Sequence, residues 1–343
     1  MKTKVIRDEI AEAAGLLRKG GLVAVPTETV YGLAGNGLDP AAIAQIYEIK
    51  GRPAVKPISL MVSGWDAVDG LCERVPGGAA ALAEAFWPGP LTIVLPAREE
   101  IPLLLRAGGN SVGLRCPRQE QTLALLRSLE FPLAVPSANP SGEKSPRSAG
   151  EVLAWFDGKI DAIVDGGICE LGTASTVLDM TETPYRVLRK GCVSEDEIAD
   201  TLVQAMQIVG ITGGSGCGKT SALDVLREYG ALVIDADAVY HELLRDNVEL
   251  LEELHTAFPT AFCEGRLERP LLAGIVFADP QALRELNRIS HRHVGIEIRR
   301  RLREHAMKGG CYAAIDAIEL FDGGAAAYCD WTLAVTAPEE ARL

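Results

Sequence analysis

The most chemically informative stretch of this sequence is a complete phosphate-binding loop that lies past the middle of the chain. Its residues are Gly213, Gly214, Ser215, Gly216, Cys217, Gly218, Lys219 and Thr220. Glycines let backbone N–H groups turn toward phosphate oxygens, the lysine can neutralise the outer phosphates of ATP, and the Thr220 hydroxyl can coordinate Mg²⁺. The alternative is a glycine-rich turn that only joins a strand to a helix. The motif predicts a nucleotide-binding module that is preceded by a sizeable segment of the chain.

Two carboxylates follow the next apolar run of this second half. Residues 231–234 are apolar and are followed by Asp235 and Asp237. Acids at the carboxyl end of a strand beside a phosphate loop can hold Mg²⁺ or accept a proton from an attacking hydroxyl. Capping of the following helix is an equally good role for one of them.

The first half carries polar loops that are too rich in glycine and cations for plain scaffold. Lys50, Arg52 and Lys56 lie close together in a turn-rich stretch, and Ser137 and Asn139 lie in a second loop. Clustered cations suit a polyphosphate or a carboxylate, and short hydroxyl and amide groups can orient a ligand. Solvated loop cations and a simple turn explain the same residues, so these patterns alone leave both interpretations open.

The elements around these loops alternate between helical and extended patterns. Helical periodicity spans 8–19 and 41–49, the second helix with Asp39 as N-cap and Pro40 in the first turn. Extended segments are predicted at 22–26, 58–62, 91–95, 111–115, 133–136, 162–164, 175–179 and 185–188. The pattern predicts an α/β domain with a large mixed sheet. A capping box of Ser194 and Glu197 begins a closing helix, so we place the first domain at 1–206 and the second at 207–343.

Composition narrows the classes of protein to which the chain can belong. The 343 residues exceed what one core usually supports, and the apolar content of 48% is that of an ordinary globular protein. The net charge of -13 argues against a broad electrostatic grip on nucleic acid or acidic membrane. No secretory signal, membrane span or paired-cysteine motif is evident, which predicts a cytoplasmic protein without a membrane partner.

Several motifs of the first half together resemble the YrdC family of threonylcarbamoyl-adenylate synthases. They are the segments 26–33 (Pro-Thr-Glu-Thr-Val-Tyr-Gly-Leu), 50–57, 87–92 (Trp-Pro-Gly-Pro-Leu-Thr), 113–117, 137–142 (Ser-Ala-Asn-Pro-Ser-Gly) and 175–177. The resemblance runs from about residue 5 to about residue 195. It implies a twisted mixed sheet around a positively charged cavity, which converts L-threonine, bicarbonate and ATP to threonylcarbamoyl-AMP and pyrophosphate. The product would serve the modification of adenosine 37 in tRNA, with tRNA-modification proteins as partners and tRNA as a transient one.

The resemblance also assigns roles to residues. It implies that Lys50, Arg52, Ser137 and Asn139 hold the nucleotide, with Lys56 nearby, and that Lys50 and Arg52 assist catalysis. Thr27, Thr29 and Tyr31 match the amino-acid end of the cavity. Arg115, Ser175 and Arg189 match the nucleotide and carboxylate side. The step needs positioned reactants and cations over the α-phosphorus, with Mg²⁺ on the polyphosphate, and no protein nucleophile.

The second half, from about residue 207, is similar to dephospho-CoA kinase, a phosphate-loop protein with a parallel sheet. The resemblance implies that Asp237 is the general base and that Arg269 and His291 lie on the side that binds dephospho-CoA. The chain departs from that family at 317–320, where Pro-Leu-Leu is usual, and at Arg292, where a proline is usual. It also stops at Leu343, before the lid and the last strand, so we expect poor kinase turnover.

Three functions follow. The leading one is the synthase. The second makes the kinase a second or the main activity, and the third is a tRNA-binding or double-stranded-RNA-binding module, which the net acidity disfavours. Substituting Lys50 or Lys219 distinguishes them, because each lysine belongs to a different half.

Overall fold

The computed structural model describes residues 2–214 and 216–338, and the chain divides into two compact units, Met1–Leu202 and Val203–Leu343. The predicted boundary after residue 206 lies just beyond this division. Leu202 is 4% exposed, and one of its methyl groups would be only 2.5 Å from a Cβ added at Gly78. The closing helix therefore packs onto the first unit as far as Leu202.

The first unit is built around one large mixed sheet, as predicted. Its strands are β1 (Lys4–Ile6), β2 (Val23–Val25), β3 (Gly32–Asn36), β4 (Leu60–Met61), β5 (Leu91–Pro96), β6 (Ser111–Arg115), β7 (Leu133–Ala134), β8 (Ala162–Val164), β9 (Thr176–Asp179) and β10 (Arg186–Arg189). They are ordered β1-β8-β2-β3-β7-β4-β6-β5-β9-β10. Parallel and antiparallel pairs alternate irregularly across it, which brings loops that are distant in the chain to one face.

Helices surround this sheet and cover its apolar side. They are α1 (Ile10–Arg18), α2 (Pro40–Lys50), α3 (Ala79–Phe86), α4 (Glu120–Ser128), α5 (Ala149–Phe156) and α6 (Glu195–Gln204). One core cluster joins Leu17 of α1 and Leu125 of α4 to Val23 and Val25 of the sheet, all of them fully buried. Each such side chain contributes roughly 1.5–3 kcal/mol by leaving water.

Both predicted helix starts are confirmed. Asp39 accepts a hydrogen bond from the Ala41 N–H, with Pro40 in the first turn of α2. Ser194 and Glu197 exchange side-chain to backbone hydrogen bonds at the start of α6, so the capping box forms. These caps satisfy N–H groups that have no partner inside their helices.

Two strands of this sheet were not predicted. β1 lies at the edge of the sheet, and β3 begins inside the motif 26–33, where no strand was predicted. The sequence of β3, Gly-Leu-Ala-Gly-Asn, has no alternation of apolar and polar residues, because it is buried on both faces. Gly32 is required there, since an added Cβ would be 2.3 Å from the Val135 side chain.

The second unit has a parallel sheet, as predicted. Its strands β11 (Gln207–Thr212), β12 (Leu232–Asp235), β15 (Tyr312–Asp316) and β16 (Trp331–Ala334) are ordered β12-β15-β11-β16, and β13 (Phe262–Cys263) pairs with β14 (Arg266–Leu267) separately. Its helices are α7 (Lys219–Glu228), α8 (Ala236–Asp246), α9 (Val248–Ala257), α10 (Arg269–Ala278) and α11 (Pro280–Met307). Within residues 2–214 and 216–338, none of the helices has the length and apolarity needed to cross a membrane.

Candidate functional site

A cavity of about 320 Å³ opens on one face of the first sheet. Its floor is made by alternate residues of neighbouring strands, such as Ser111, Gly113 and Arg115 of β6, because every second side chain of a strand points to the same face. Gly113 keeps the centre of the floor open. A Cβ there would be 2.8 Å from the Ser59 hydroxyl oxygen.

Most of the predicted site residues line this cavity. They are Thr27, Thr29, Tyr31, Arg52, Arg115, Ser137, Ser175 and Arg189. They come from six separate stretches of the chain, which the order of the strands brings together. The geometry thus places the predicted amino-acid end and the predicted cationic end in one hollow.

Three arginines, Arg52, Arg115 and Arg189, line the cavity, and Arg52 and Arg189 are anchored to oxygens of nearby residues. Arg52 donates to the carbonyl oxygens of Lys56 and Pro57 at 3.1 and 2.8 Å. Arg189 donates to the carbonyl and hydroxyl oxygens of Ser175, both at 3.0 Å. Because one edge of each guanidinium is anchored, the other edge is oriented before any ligand arrives.

The charges of these arginines are not equally compensated. Arg115 forms an ion pair with Glu28 at 2.6 Å, and both side chains are buried. In the part of the chain that the structure describes, no carboxylate lies within 4.0 Å of Arg52 or Arg189. Burial, followed by the charges of Arg115 and Arg52, lowers the pKa of Arg189. This end of the cavity therefore favours an anion.

Lys50 is the last residue of α2 and is only 3% exposed. Its ammonium group lies behind the cavity wall, where it donates to the carbonyl oxygen of Ser137 at 2.5 Å and to that of Asn139. Burial, and secondly the charge of Arg52, lowers the pKa of Lys50 to about 7. Lys50 therefore joins α2 to the loop 137–142 and carries a charge that depends on pH near neutrality.

This low pKa predicts that anion binding takes up a proton. Phosphates nearby would raise the pKa of Lys50, so above pH 7 the complex holds more protons than the free protein, and affinity falls as pH rises, by up to about tenfold per pH unit. Calorimetric titration of the Lys219→Ala protein with an ATP analogue, in buffers of different ionisation enthalpy, measures this uptake. Lys50→Met should abolish it, and equal uptake in both proteins would contradict the assignment.

The threonines of the segment 26–33 form a closed hydrogen-bond network. Thr27 donates its hydroxyl proton to the Val30 carbonyl at 2.7 Å and accepts from the N–H groups of Thr29 and Val30. The hydroxyl oxygens of Thr27 and Thr29 are 2.7 Å apart. These bonds fix the segment without regular secondary structure, because each buried polar group has a local partner.

Tyr31 lines the cavity with its ring, while its hydroxyl is fully used elsewhere. The hydroxyl donates to the Gly167 carbonyl at 2.9 Å and accepts from the Gly166 N–H at 3.1 Å. Burial raises the pKa of Tyr31 to about 12. The phenol thus holds the loop after β8, and its hydroxyl has no proton left for a ligand.

Tyr31→Phe is therefore expected to affect stability more than binding. The change leaves two backbone groups unpaired and should cost about 1–3 kcal/mol of unfolding free energy, measured in urea. The KM for L-threonine should change by less than about twofold, because the ring remains. A large rise in that KM without destabilisation would show that the hydroxyl binds the substrate.

Asn139 and Lys56 lie outside the cavity lining. Asn139 is 5% exposed and donates both amide protons to the carbonyls of Pro140 and Glu143, which leaves its side-chain oxygen buried without a partner. Lys56 points its side chain to solvent and contributes its carbonyl to Arg52. Their predicted roles in nucleotide binding stay predictions.

Sequence reasoning missed several polar residues of this site. Those on the cavity wall are Ser59, Thr92, Ser111, Ser145 and Asp179. Glu28 lies behind the wall, where it holds Arg115. The signal that could have found Ser111 is the alternation within 111–115, which places Ser111 on the same side of the predicted strand as Arg115.

In the second unit the phosphate loop connects β11 to α7 as the motif requires. Gly213, Gly216 and Gly218 have φ angles of 147°, 75° and 90°, which residues with a side chain rarely adopt. Ser215 lies outside the described residues. Lys219 donates to the Gly213 carbonyl at 3.0 Å and lies 3.4 Å from an oxygen of Asp316.

Asp235 and Asp237, the two aspartates predicted after the strand β12, have different positions. Asp235 accepts from the Ala238 N–H as the N-cap of α8, so the capping interpretation applies to it. Asp237 is in the first turn of that helix and lines a second cavity of about 460 Å³, together with His291. Arg269 begins α10 and does not line this cavity. His293 is buried against Glu253 at 2.9 Å.

Comparison with known proteins gives a match in each half. The Sua5/YciO/YrdC family model, described as "Telomere recombination", matches residues 15–191, and the dephospho-CoA kinase model matches 207–343. The threonylcarbamoyl-AMP synthase of Pyrococcus abyssi is 46% identical over 56% of this chain and 58% of its own length. A putative threonylcarbamoyl-AMP synthase of Mycobacterium tuberculosis is 36% identical over 59% of this chain and 93% of its own.

A solved structure of similar fold comes from the same archaeon. The crystal structure of P. abyssi Sua5 complexed with L-threonine aligns with a TM-score of 0.57 and 27% identity, over 93% of each chain. By sequence, however, the chain spans little more than half the length of the Pyrococcus and Bacillus subtilis synthases, 58% and 55%. The match over residues 15–191 shows that the chain belongs to the Sua5/YciO/YrdC family.

Proposed function

We propose that the first unit is a threonylcarbamoyl-AMP synthase, which uses L-threonine, bicarbonate and ATP and releases pyrophosphate. The observation that carries the proposal is the cavity itself. Among the residues that the structure describes, Arg52 and Arg189 have no carboxylate partner, and both share one hollow with the threonine-rich segment 26–33. The synthases that are 36–46% identical to this chain support the same reaction.

The chemistry requires positioned reactants more than reactive side chains. The threonine amine and bicarbonate give a carbamate and water; a carbamate oxygen then attacks the α-phosphorus of ATP, and the bond to pyrophosphate breaks. Negative charge accumulates on the phosphate oxygens during this step, and anchored guanidinium groups stabilise it without rearranging. Arg52 and Arg189 would take this role, with Lys50 behind them. Mg²⁺ would enter with the polyphosphate and share its charge.

The remaining assignments of the first unit follow from this reaction. Ser137 and Ser175 would contact the nucleotide, and Thr27, Thr29 and Tyr31 would surround the amino acid. The product is an activated carbamoyl donor for tRNA adenosine 37, so proteins that modify tRNA in the cytoplasm would be partners. A stable RNA-binding function is less favoured, because the net charge of -13 opposes a broad grip on a polyanion.

Pyrophosphate release tests the proposal directly. The full chain is incubated with ATP, L-threonine and ¹⁴C-bicarbonate, and each substrate is omitted in turn. We expect release only with all three, together with label in a product that contains AMP. Pyrophosphate release that continues when threonine is omitted would contradict the synthase assignment.

We propose dephospho-CoA kinase activity, or a remnant of it, as a second function, located at 207–343. The phosphate loop and a cavity that contains Asp237 and His291 support it. Mg²⁺ suits this site, since the Thr220 hydroxyl and the Asp316 carboxylate are oxygen donors, and the Asp316 oxygen that lies 3.4 Å from Lys219 makes no hydrogen bond within the described residues. Transfer of ³²P from γ-labelled ATP to dephospho-CoA, lost in Lys219→Ala, is the expected result.

A further inference from the structure

Glu28 is a buried acid next to the cavity that the proposed reaction does not use. Its side chain is 1% exposed, and each carboxylate oxygen has a partner. One oxygen accepts from Arg115 at 2.6 Å, and the other accepts from the backbone N–H of Arg118 at 2.9 Å. Its carbonyl oxygen accepts from the Leu171 N–H at 2.8 Å. Glu28 therefore joins three stretches of chain around Arg115.

These contacts determine which protons Arg115 can give to a ligand. Its Nε donates to the Gly89 carbonyl, and its Nη2 donates to Glu28 and to the Thr29 hydroxyl at 2.9 Å. Within residues 2–214 and 216–338, Nη1 makes no hydrogen bond. Because Arg115 lines the cavity, the Nη1 edge is the donor that remains for a ligand.

The same network determines the direction of the Thr29 hydroxyl. Thr27 gives its only hydroxyl proton to the Val30 carbonyl, which cannot donate. The arrangement that satisfies both pairs assigns the proton between the two hydroxyl oxygens, which are 2.7 Å apart, to Thr29. Since Thr29, which is fully buried in the cavity lining, also accepts from Arg115, one lone pair of its hydroxyl remains as an acceptor.

The charges of the cavity are consequently divided. Glu28 neutralises Arg115, so that end carries no net charge and presents a donor, Arg115 Nη1, beside an acceptor, Thr29 Oγ1. The end with Arg52 and Arg189 keeps its positive charge. A donor next to an acceptor in a neutral setting matches the carboxylate and the amine of an amino acid, whereas the positive end matches a polyphosphate.

We propose that Glu28 is a positioning residue that gives the Arg115 end of the cavity its selectivity for the amino acid over the nucleotide. The inference rests on the proposed synthase function. Without the Glu28 charge, Arg115 would keep its hydrogen bonds to Gly89 and Thr29 but would join Arg52 and Arg189 as a third unpaired cation. Binding of the amino acid would then weaken, and binding of the polyphosphate would be maintained.

The test is the KM for each substrate in Glu28→Gln, measured by pyrophosphate release from the full chain. We expect the KM for L-threonine to rise at least about tenfold and the KM for ATP to change by less than about twofold. Glu28→Asp, which keeps the charge, should recover part of the loss. Glu130→Gln removes a similar pair with Arg18 on the surface and is the matched control.

Thr29→Val keeps the test decisive if Glu28→Gln does not fold. It removes the acceptor with almost no change in shape, and the KM for L-threonine alone should rise, with Thr29→Ser close to wild type. The inference would be overturned by equal rises of both KM values or by no change in either. It would also be overturned by a Glu28→Asp variant that is as impaired as Glu28→Gln. Wild-type protein that releases no pyrophosphate would overturn the proposed function itself, and this inference with it.

Discussion

Replacing both Arg52 and Arg189 by alanine is expected to weaken ATP binding to the first unit by about 100-fold or more. Each arginine is anchored through Nε and one Nη2 proton and keeps its other protons for a ligand. A charge-assisted hydrogen bond contributes about 1.5–3 kcal/mol, and about 1.4 kcal/mol corresponds to a tenfold change in affinity. Calorimetric titration with a non-hydrolysable ATP analogue measures the loss.

The titration is made in the Lys219→Ala background, so that the phosphate loop of the second unit does not contribute. The matched control is the double variant Arg74→Ala and Arg98→Ala. These arginines also donate to backbone carbonyls, of Thr181 and Asp69, but do not line the cavity. A loss below about threefold in the cavity variant would place the polyphosphate elsewhere.

Lys50→Ala should reduce pyrophosphate release by about 100-fold or more, while Lys219→Ala leaves the rate within about twofold. The first change removes a cation behind the nucleotide end of the cavity. It also removes the side-chain donor to the carbonyl oxygens of Ser137 and Asn139, which weakens the link between α2 and the loop 137–142 to the backbone bond from the Ser141 N–H to the Lys50 carbonyl. Lys219 belongs to the other unit, where it contacts Gly213 and Asp316.

The comparison of the two lysines assigns the activity to one unit. Denaturation curves accompany the rates, because Lys50→Ala also removes buried hydrogen bonds. Lys50→Met, which retains most of the side-chain volume, separates lost packing from lost charge and should be nearly as inactive. A Lys219→Ala protein that loses pyrophosphate release would move the reaction to the second unit.

The sequence predicted the architecture where local patterns were strong. The segment 91–95 is almost continuously apolar and the segment 111–115 alternates, and both form strands where they were predicted. Asp39-Pro40 is a typical helix start, and α2 begins there. β3 was missed because its pattern is set by burial on both faces, which side chains distant in the chain provide, such as Ile46 of α2 next to Gly35 and Val135 next to Gly32.

Most residues of the candidate site could be predicted from the sequence, but their positions relative to the cavity could not. Thr29, Arg115 and Arg189 line one cavity as the resemblance implied. Lys50 instead lies behind the wall, because its ammonium group is held by carbonyls of a loop 87 and 89 residues away. The role of Glu28 could not be read from the sequence either, since its partners Arg115 and Arg118 are joined to it by tertiary structure alone.

A crystal structure of the full chain with a non-hydrolysable ATP analogue and L-threonine tests the central claim most directly. The account predicts phosphate oxygens within hydrogen-bond distance of Arg52 and Arg189, and the amino acid beside Arg115 and Thr29, in the same cavity. Threonine absent from that cavity at saturating concentration, or a nucleotide bound only at Lys219, would contradict it.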